Sequence, residues 1–419
     1  MTTKVSSRGW SVYAGVLICI FFYQGFVGNV QGLLIEPVTS DLGISRTLYS
    51  TFMSLSGLIN LVASFFFAQF VARLGVKKMM VVGSVGVILY FVCFELAGMM
   101  PAMAAPLICI GQICLGVMFS WASLMGASIL INTWFAKREN FLIGIAVAMS
   151  SLGGVIASPL VTYLILNLGW RTDMLIRMVL VIIVAVILFV LIKNAPAQGE
   201  SRIWDTPENA ATAGDDAEST DGQSGLMLAQ AMKTKNFWFA IAFSFLFSCC
   251  IYPGFMLIAT YAMDLGYAEY AGVIMSMLYV IAIIGTPTMG GIFDKFGTRV
   301  VLTVVFLVLC VGLYILSMGS LSLPMLFVGA LAIGLNFAIL QTAVPALVRE
   351  VFGLKDFARV QSYVFTASIL GCTVSLPAYN AVFDVTGSYA PVFLATIPLV
   401  IVSIVLLFVA TSKIKSTQK

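Results

Sequence analysis

The chain has 419 residues, of which 61% are hydrophobic and only 10% are charged. Soluble domains carry about 25% charged residues, so the composition excludes a soluble globular enzyme, a disordered protein and a nucleic-acid-binding protein. The mean hydropathy of +1.05 places the chain in a lipid bilayer. It contains no histidine, which excludes histidine-ligated metal sites and Ser-His-Asp triads. We therefore predict no catalytic site, no metal and no cofactor.

Apolar runs of about 20 residues, the length of a membrane-spanning helix, recur twelve times along the chain. Lipid cannot hydrogen-bond exposed backbone groups, so each run is predicted to be helical. The polar residues 1–9 precede the first run and no small-residue cleavage site follows it, so we expect this helix to be retained. We number the runs as spans one to twelve: 11–33, 47–70, 79–99, 106–134, 142–167, 173–193, 236–260, 270–292, 300–319, 324–348, 359–383 and 390–411.

The placement of the cations predicts the topology. If both termini are cytoplasmic, 19 of the 22 Lys and Arg residues fall on the cytoplasmic side. Only Arg46, Arg171 and Arg177 then fall at or near the outer face. Cytoplasmic loops of membrane proteins carry this excess of positive charge. The pattern predicts a multi-pass protein of the cytoplasmic (inner) membrane with an even number of spans.

One long polar stretch interrupts the apolar runs. It is rich in Pro, Gly, Asp and Glu and lacks an apolar period, which is typical of a flexible linker. An alternative for its last part, Gly225–Lys235, is a short interfacial helix. We therefore divide the chain into a six-helix bundle of residues 1–193, a cytoplasmic linker of residues 194–235, and a second six-helix bundle of residues 236–419.

The two bundles share short sequences at similar spacing. Such a repeat implies duplication of a six-helix unit in the same orientation, because six spans return the chain to its starting side. Parallel repeats of this kind place a solute site at their interface, near the middle of the membrane. The recurring elements, each with its counterpart, are Asp41-Leu42-Gly43 with Asp264-Leu265-Gly266, Gly75 with Gly297, Gly153 with Gly371, and Pro159 with Pro377.

Several of these residues carry a family resemblance. Gly290-x-x-x-Asp294-Lys295-x-Gly297-x-Arg299 is similar to the loop motif G-x-x-x-D-R-x-G-R of the major facilitator superfamily. The first-half copy, Ala68-x-x-x-Ala72-Arg73-x-Gly75-x-Lys77, lacks the acidic residue. Trp134-Phe135-x-x-Arg138 and Gly169-Trp170-Arg171 resemble the oxalate/formate antiporter and monocarboxylate porter branch. The resemblance implies an all-α membrane fold of twelve helices in two pseudo-symmetric six-helix bundles. It also implies a cavity lined by the first, second, fourth and fifth helices of each half.

Two groups of residues are predicted to act in gating. The charged loop residues would hold the cytoplasmic side closed by ion pairs and helix-end contacts, and the alternative is charge that only sets topology. The Gly and Pro residues of spans five and eleven would let these helices flex, and the alternative is static close packing. The predicted gating residues are Arg73, Lys77, Asp294, Lys295, Arg299, Gly153, Pro159, Gly371 and Pro377.

Polar residues within the cavity-lining spans are the candidates for substrate binding. In lipid each such group must find a partner or face water, so an interhelical hydrogen bond is the alternative for every one of them. The residues that we expect to contact substrate are Tyr23, Gln24, Trp121, Tyr252, Tyr279, Asn336, Tyr363 and Thr366.

Fixed charge is scarce in these spans. Span eight has no Lys or Arg, span eleven has only Arg359 at its start, and Gln112 stands where many proton-coupled superfamily members have Arg. A dianion is therefore disfavoured, because an unpaired anion in a low dielectric is costly. Two interpretations stay open. A monoanion could be held by neutral donors, with Arg177 or Arg349 at a cavity mouth, or a neutral, zwitterionic or quaternary-ammonium solute could bind to aromatic faces.

We predict a secondary transporter of a small organic solute, a monocarboxylate in the leading hypothesis, because the chain has no phosphate-binding G-x-x-x-x-G-K-[ST] loop. Glu95 in span three is the candidate for coupling to a proton, and snorkelling to the outer interface is its alternative. A counter-substrate is the other possible partner, and we expect a monomer in the lipid bilayer. The alternatives are a uniporter or exchanger of an uncharged, zwitterionic or quaternary-ammonium solute, and a membrane receptor with a transporter-like core.

Overall fold

A computed structural model describes residues 4–5, 8–195, 200–201, 203–204, 225–318 and 321–412. The predicted all-α fold is confirmed, because helices form nearly all of this part of the chain. The exception is a two-residue parallel strand pair, Lys4–Val5 with Glu200–Ser201. The terminal residues to which the sequence assigns a cytoplasmic position lie largely outside the described residues.

The helices account for the twelve predicted spans. Ten segments of the described residues are long and apolar enough to cross a membrane. One of them, Phe141–Leu191, contains both spans five and six. Gly169 divides it with φ 81° and ψ 157°, a conformation that a residue with a Cβ rarely adopts. Helix Phe357–Thr386 is not among the ten and corresponds to span eleven.

The chain packs as two compact units, residues 1–217 with 271–276, and residues 218–270 with 277–419. Each unit is built from long helices whose apolar faces pack on one another. In the first unit, Ser45 begins span two by accepting a hydrogen bond from Leu48 N–H, and Gly43 ends the preceding helix with φ 64°. Its helices are Arg8–Cys19, Ile20–Gly28 (a π-helix), Gln31–Leu34 (3₁₀), Ile35–Leu42, Arg46–Leu74, Val76–Met99, Pro101–Met103 (3₁₀), Ala104–Trp121, Leu124–Trp134 and Glu139–Leu191.

The second unit has the same kind of core. Stacked rings of Phe243 and Phe247 in span seven pack on Phe306 of span nine. Asn236 joins the start of span seven to the end of span twelve, since its side-chain amide donates to the carbonyl of Ala410 at 2.8 Å. The helices are Leu228–Ala231, Lys235–Asp264, Ala268–Tyr270 (3₁₀), Ala271–Phe296, Thr298–Leu316, Leu323–Phe352, Phe357–Thr386 and Ala390–Ala410. The first residues of Ala271–Phe296, 271–276, group with the first unit.

The repeat seen in the sequence recurs in the backbone. Gly75 separates spans two and three with φ 79° and ψ 155°, and Gly297 separates spans eight and nine with φ 77° and ψ 151°. These left-handed values favour glycine. Both helix pairs therefore turn at the same kind of joint.

The two ends of the predicted linker are bound to the unit beside them. Ile203 exchanges backbone hydrogen bonds of 2.9 Å with Trp134 and Ala136, and its side chain is buried. Leu226 N–H donates to Phe352 O at 2.9 Å, just before the short helix Leu228–Ala231. The prediction of a linker that is flexible over its whole length is therefore wrong at its two ends. At the C-terminal end, the short helix that was the alternative is present. Residues 205–224 lie outside the described part of the chain.

Candidate functional site

Span one is not a regular α-helix. Its α-helix ends at Cys19 and continues as a π-helix over Ile20–Gly28, in which Asn29 N–H donates to Gln24 O at 2.8 Å. A 3₁₀ turn, Gln31–Leu34, follows. Single π-helical turns are common at functional sites. At membrane depth, irregular backbone is tolerated only where protein buries it or where it lines an aqueous cavity. Most of this π-helix is buried, so contacts within the first unit support its irregular backbone.

Span four is broken in the same unit. Helix Ala104–Trp121 ends before Ala122, and helix Leu124–Trp134 begins after Ser123. Ala122 has φ −117° and ψ 43°, and Ser123 has φ −139° and ψ −150°, both outside the helical region. Both residues are buried. Neither is Gly or Pro, so nothing in the sequence marks the break.

The two irregular segments contact each other. The side-chain amide of Gln24 donates to Ser123 Oγ at 2.5 Å, and Cys19 Sγ donates to Ala122 O at 3.3 Å. We call these four residues, Cys19, Gln24, Ala122 and Ser123, the helix-break site. Discontinuous helices that present amide groups and helix ends are how transporters of known structure bind solutes. The helix-break site can offer neutral hydrogen-bond donors to a small ligand.

The other two first-unit candidates for substrate contact hold helices together. The Tyr23 hydroxyl donates to Ser84 Oγ at 2.8 Å, and Tyr23 is fully buried. Trp121, directly before the break, donates from Nε1 to Ala63 O at 3.3 Å. Asn29, which follows the π-helix, donates to the backbone oxygen of Ser150 at 2.9 Å. Of the first-unit candidates, Gln24 alone belongs to the helix-break site.

Two second-unit candidates lie in an aromatic cluster. The ring of Tyr279 meets the ring of Phe255 edge-on, with 5.4 Å between centroids. Phe255 in turn stacks on Phe337 at 3.5 Å. Tyr252 lies within electrostatic range of Tyr279. The structure thus places the tyrosines of spans seven and eight beside each other.

The remaining second-unit candidates have different surroundings. Asn336 is fully buried, and its amide donates to Val305 O at 3.1 Å and to Ala332 O at 2.9 Å. This is the interhelical hydrogen bond that was the alternative to a binding role. Tyr363 is half exposed, and Thr366 is partly exposed with its hydroxyl bonded to its own helix at Ser362 O.

The first-unit gating candidates lie at a loop and at a helix crossing. Arg73 is in the last turn of span two, and the Lys77 backbone N–H donates to Asn194 Oδ1 at 2.8 Å. Gly153 lies against Gly25 of span one, where an added Cβ on Gly25 would come within 2.5 Å of Gly153 Cα. Pro159 lies within the same helix as Gly153. The glycines let two backbones touch.

In the second unit, Arg299 does not use Asp294 as its partner. Its guanidinium donates to the side-chain and backbone oxygens of Thr411, each at 2.8 Å, which ties span nine to span twelve. Asp294 and Lys295 are exposed at the end of span eight, and Lys295 lies over the Phe296 ring. Gly371 and Pro377 are inside helix Phe357–Thr386.

Sequence reasoning missed Glu350. Its carboxylate accepts a hydrogen bond from the Thr298 N–H, at the start of span nine, at 3.0 Å. A cleft of about 610 Å³ lies beside this contact, and Asp294 and Arg349 line it with Glu350. Arg349 therefore borders this cleft, and its place at the mouth of a substrate cavity stays a prediction. No sequence signal identifies the partner of Thr298.

Glu95, the coupling candidate, is buried in span three and does not snorkel to the surface. It lies within electrostatic range of Arg171. Arg171 also forms an ion pair with Asp41 at 3.1 Å, and Trp170 donates to the same carboxylate oxygen at 3.0 Å. These contacts join the helix Ile35–Leu42 to the segment around Gly169 in the first unit.

The expected place of Arg177 at a cavity mouth is wrong. Its side chain is 2% exposed and forms an ion pair with Asp173, which is fully buried. Arg177 also donates to Phe26 O at 3.1 Å and lies over the Phe91 ring. The sequence does contain the signal, because an acid four residues before a base lies on the same helix face. Within the described ranges, no group of His, Cys, Asp or Glu could hold a metal ion.

Comparisons with known proteins agree with this architecture. A family model of the Major Facilitator Superfamily matches residues 16–310 and 268–419. Monocarboxylate transporter 12 of Rattus norvegicus is 27% identical over 63% of this chain and 58% of its own length. Monocarboxylate transporter 12-B of Danio rerio is 25% identical over 67% of this chain and 63% of its own length. The chain thus spans about three fifths of these curated relatives.

Two solved structures share the fold. A bacterial homologue of the human lysosomal transporter Spinster has a TM-score of 0.71 and 15% identity, with 96% of this chain and 97% of that chain covered. The nucleoside transporter NupG has a TM-score of 0.74 and 13% identity, with 95% and 99% covered. At these identities the likeness concerns the fold alone.

Proposed function

Because the chain belongs to the Major Facilitator Superfamily, we propose that it carries a small monocarboxylate across the cytoplasmic membrane as a secondary transporter working by alternating access. The chain is a multi-pass membrane transporter and not an enzyme. The substrate, the mechanism and the membrane are the parts that we propose.

The choice of substrate is based on the hydrogen-bond donors of the helix-break site. A carboxylate needs hydrogen-bond donors wherever it leaves water. Gln24 supplies an amide here, and the helix that begins at Leu124 supplies backbone N–H groups at the positive end of its dipole. None of the four residues of the site is Lys or Arg. Neutral donors suit one negative charge better than two, which favours a monoanion over a dianion.

The relatives support the same substrate class. The two relatives described above are named monocarboxylate transporters, although each is only 27% or 25% identical to this chain over the aligned segment. Because this chain spans only about three fifths of these relatives, their substrate class is carried over to it as a proposal.

The remaining sequence predictions complete the proposal. Both termini are cytoplasmic, the protein is a monomer, and the loop residues around Asp294 and Arg73 take part in gating. Glu95 is the predicted candidate for coupling transport to a proton, and exchange against a counter-substrate is the alternative. The burial of Glu95 beside Arg171 supports a coupling role, because a buried carboxylate near a cation responds to changes in charge.

A second candidate substrate has its own observation. The stacked pair Phe255 and Phe337, with Tyr279 edge-on, gathers three aromatic rings in the second unit. Aromatic faces attract quaternary ammonium groups. A betaine or a similar zwitterion is therefore the alternative to a monocarboxylate.

The test is counterflow of a radiolabelled monocarboxylate in proteoliposomes that contain the purified full-length protein. We expect accumulation of label when the vesicles are preloaded with unlabelled monocarboxylate, and none with an oxalate-like dianion. Preference for betaine over monocarboxylate would favour the second candidate. Thermal stabilisation by a monocarboxylate without any counterflow would indicate a receptor and contradict the proposal.

A further inference from the structure

Four polar residues form a buried cluster in the first unit, outside the helix-break site. Asp173 and Arg177 belong to span six, Tyr49 to span two and Tyr90 to span three, and all four are almost completely buried. Removing an ion pair from water is costly unless every oxygen and N–H finds a partner. The hydrogen-bond partners of each polar atom therefore show whether this buried cluster is fully satisfied.

The carboxylate of Asp173 is only half satisfied. Its Oδ2 accepts from two guanidinium nitrogens of Arg177, with Nε at 3.0 Å. Its Oδ1 has no partner among the described residues, and neither has the hydroxyl of Tyr49 or of Tyr90. Tyr90 lies within electrostatic range of both Asp173 and Arg177, and Tyr49 within range of Arg177. Unpartnered buried polar atoms are uncommon and call for an explanation. Oδ1 is therefore an open position for a proton, and Tyr90 is the phenol within electrostatic range of this carboxylate.

Arg177 connects this cluster to span one. Its NH1 donates to Phe26 O at 3.1 Å. Phe26 belongs to the π-helix Ile20–Gly28, which also carries Gln24 of the helix-break site. The regular backbone pattern fails directly after this segment, at Val30, which has φ −102° and ψ 4°. The Arg177 guanidinium thus holds Asp173 on one side and an irregular stretch of span one on the other.

We propose that Asp173 and Arg177 form a proton-operated lock on span one. While Asp173 is charged, it holds the guanidinium against the Phe26 carbonyl and so fixes the π-helix that positions Gln24. A proton taken from water forms an O–H bond at Asp173 Oδ1 and removes the charge that holds Arg177, and loss of that proton to water restores the lock. Arg177 is then a positioning residue for Gln24, and this role in transport rests on the proposed function.

Other charged groups lie on the elements that pack around this helix. Glu95 of span three is near Arg171, and Asp41 is held by Arg171 and Trp170. Glu36 lies on the same short helix as Asp41, Ile35–Leu42. Glu95 also has an oxygen without a partner among the described residues, so it is the rival site for a proton. Glu95 lies near Arg171, whereas Arg177 is the arginine that contacts span one. Mutations can therefore distinguish the two proton sites.

The first experiment measures deuterium uptake of peptides from residues 20–34 in the detergent-purified full-length protein, for all variants at one pD. We expect Asp173→Asn and Arg177→Lys to raise the uptake rate at least about tenfold, the size of a typical coupling between sites. The lysine keeps both charges but lacks the fork that reaches two acceptors at once. The matched control is Asp41→Asn, which removes an exposed ion pair with Arg171. Arg171 lies on the same helix as Asp173 and Arg177, and this control should leave the uptake rate unchanged. Wild-type protection in both lock variants would overturn the proposal. If Asp173→Asn does not fold, Arg177→Lys alone decides.

The second experiment measures monocarboxylate counterflow across a series of pH values that are equal inside and outside the vesicles. We expect the wild-type KM to rise as the pH falls, because an open lock no longer positions Gln24, and we expect Asp173→Asn to have a raised KM that does not depend on pH. A wild-type pH profile in Asp173→Asn, with a flat profile in Glu95→Gln, would assign the proton to Glu95 and overturn the lock. If wild-type protein shows no counterflow, the proposed function fails, and deuterium uptake still decides the lock.

Discussion

Gly153 and Gly371 occupy equivalent places in the two repeats, 218 residues apart, and each lies against a backbone carbonyl of its own unit. Gly153 faces Phe21 O of span one, and Gly371 faces Phe245 O of span seven. In each unit, the glycine lets the fifth helix of the repeat touch the first. The close packing that was the alternative to flexing at these positions is therefore present, and a role in gating stays a prediction.

Replacing either glycine should destabilise its unit. We expect Gly153→Ala and Gly371→Ala each to cost about 1–3 kcal/mol, because the new Cβ has no room beside backbone atoms that cannot move far. Thermal unfolding in detergent measures the effect. Gly144→Ala is the matched control, since it lies on the same helix as Gly153 with no atom within 4 Å of the added Cβ. Equal stability of Gly144→Ala and Gly153→Ala would contradict the close contact.

The sequence predicts the fold well and the site less well. Runs of apolar residues identify the helices, because in lipid only a helix satisfies its own backbone. Gly75 and Gly297 could be matched because a left-handed joint needs glycine. The break at Ala122 and Ser123 has no such residue, since tertiary contacts to span one hold its backbone. The substrate-contact residues predicted from the sequence therefore have different outcomes. Gln24 contacts the helix break, whereas the Asn336 side chain hydrogen-bonds to backbone carbonyls.

Loss of the contact across the helix break should impair transport more than stability. We expect Gln24→Leu and Ser123→Ala to raise the KM for the transported monocarboxylate about fivefold, the effect of one hydrogen bond of about 1 kcal/mol. Counterflow at several substrate concentrations measures it. Ser128→Ala is the control, because Ser128 lies on the same helix and its exposed hydroxyl bonds only to Leu124 O. An unchanged KM in both site variants would remove the helix-break site from substrate binding.

Asn336 and Thr366 should respond to mutation in opposite ways. Asn336→Ala leaves a buried carbonyl without its donor, and we expect a loss of about 1–3 kcal/mol. Thr366→Ala removes an exposed hydroxyl that bonds to its own helix, so its stability should stay within about 0.5 kcal/mol of wild type. Thermal unfolding compares the stability of the two variants. Thermal stabilisation by added monocarboxylate tests whether each variant still binds the ligand. A stable Asn336→Ala protein that no longer responds to monocarboxylate would return Asn336 to the binding residues.

Glu350 should stabilise the start of span nine. The first N–H groups of a helix have no partner within it, and the Glu350 carboxylate accepts from one of them, at Thr298. We expect Glu350→Ala to lose about 1 kcal/mol of stability, while Glu350→Gln, which keeps an acceptor oxygen but not the charge near the helix dipole, should lose less. Thermal unfolding compares the two with Glu269→Ala, a control that removes an exposed carboxylate outside this contact. If Glu350→Ala is as stable as that control, the carboxylate does not serve as a cap. A slower counterflow in Glu350→Ala at unchanged stability would instead give it a part in gating beside Asp294.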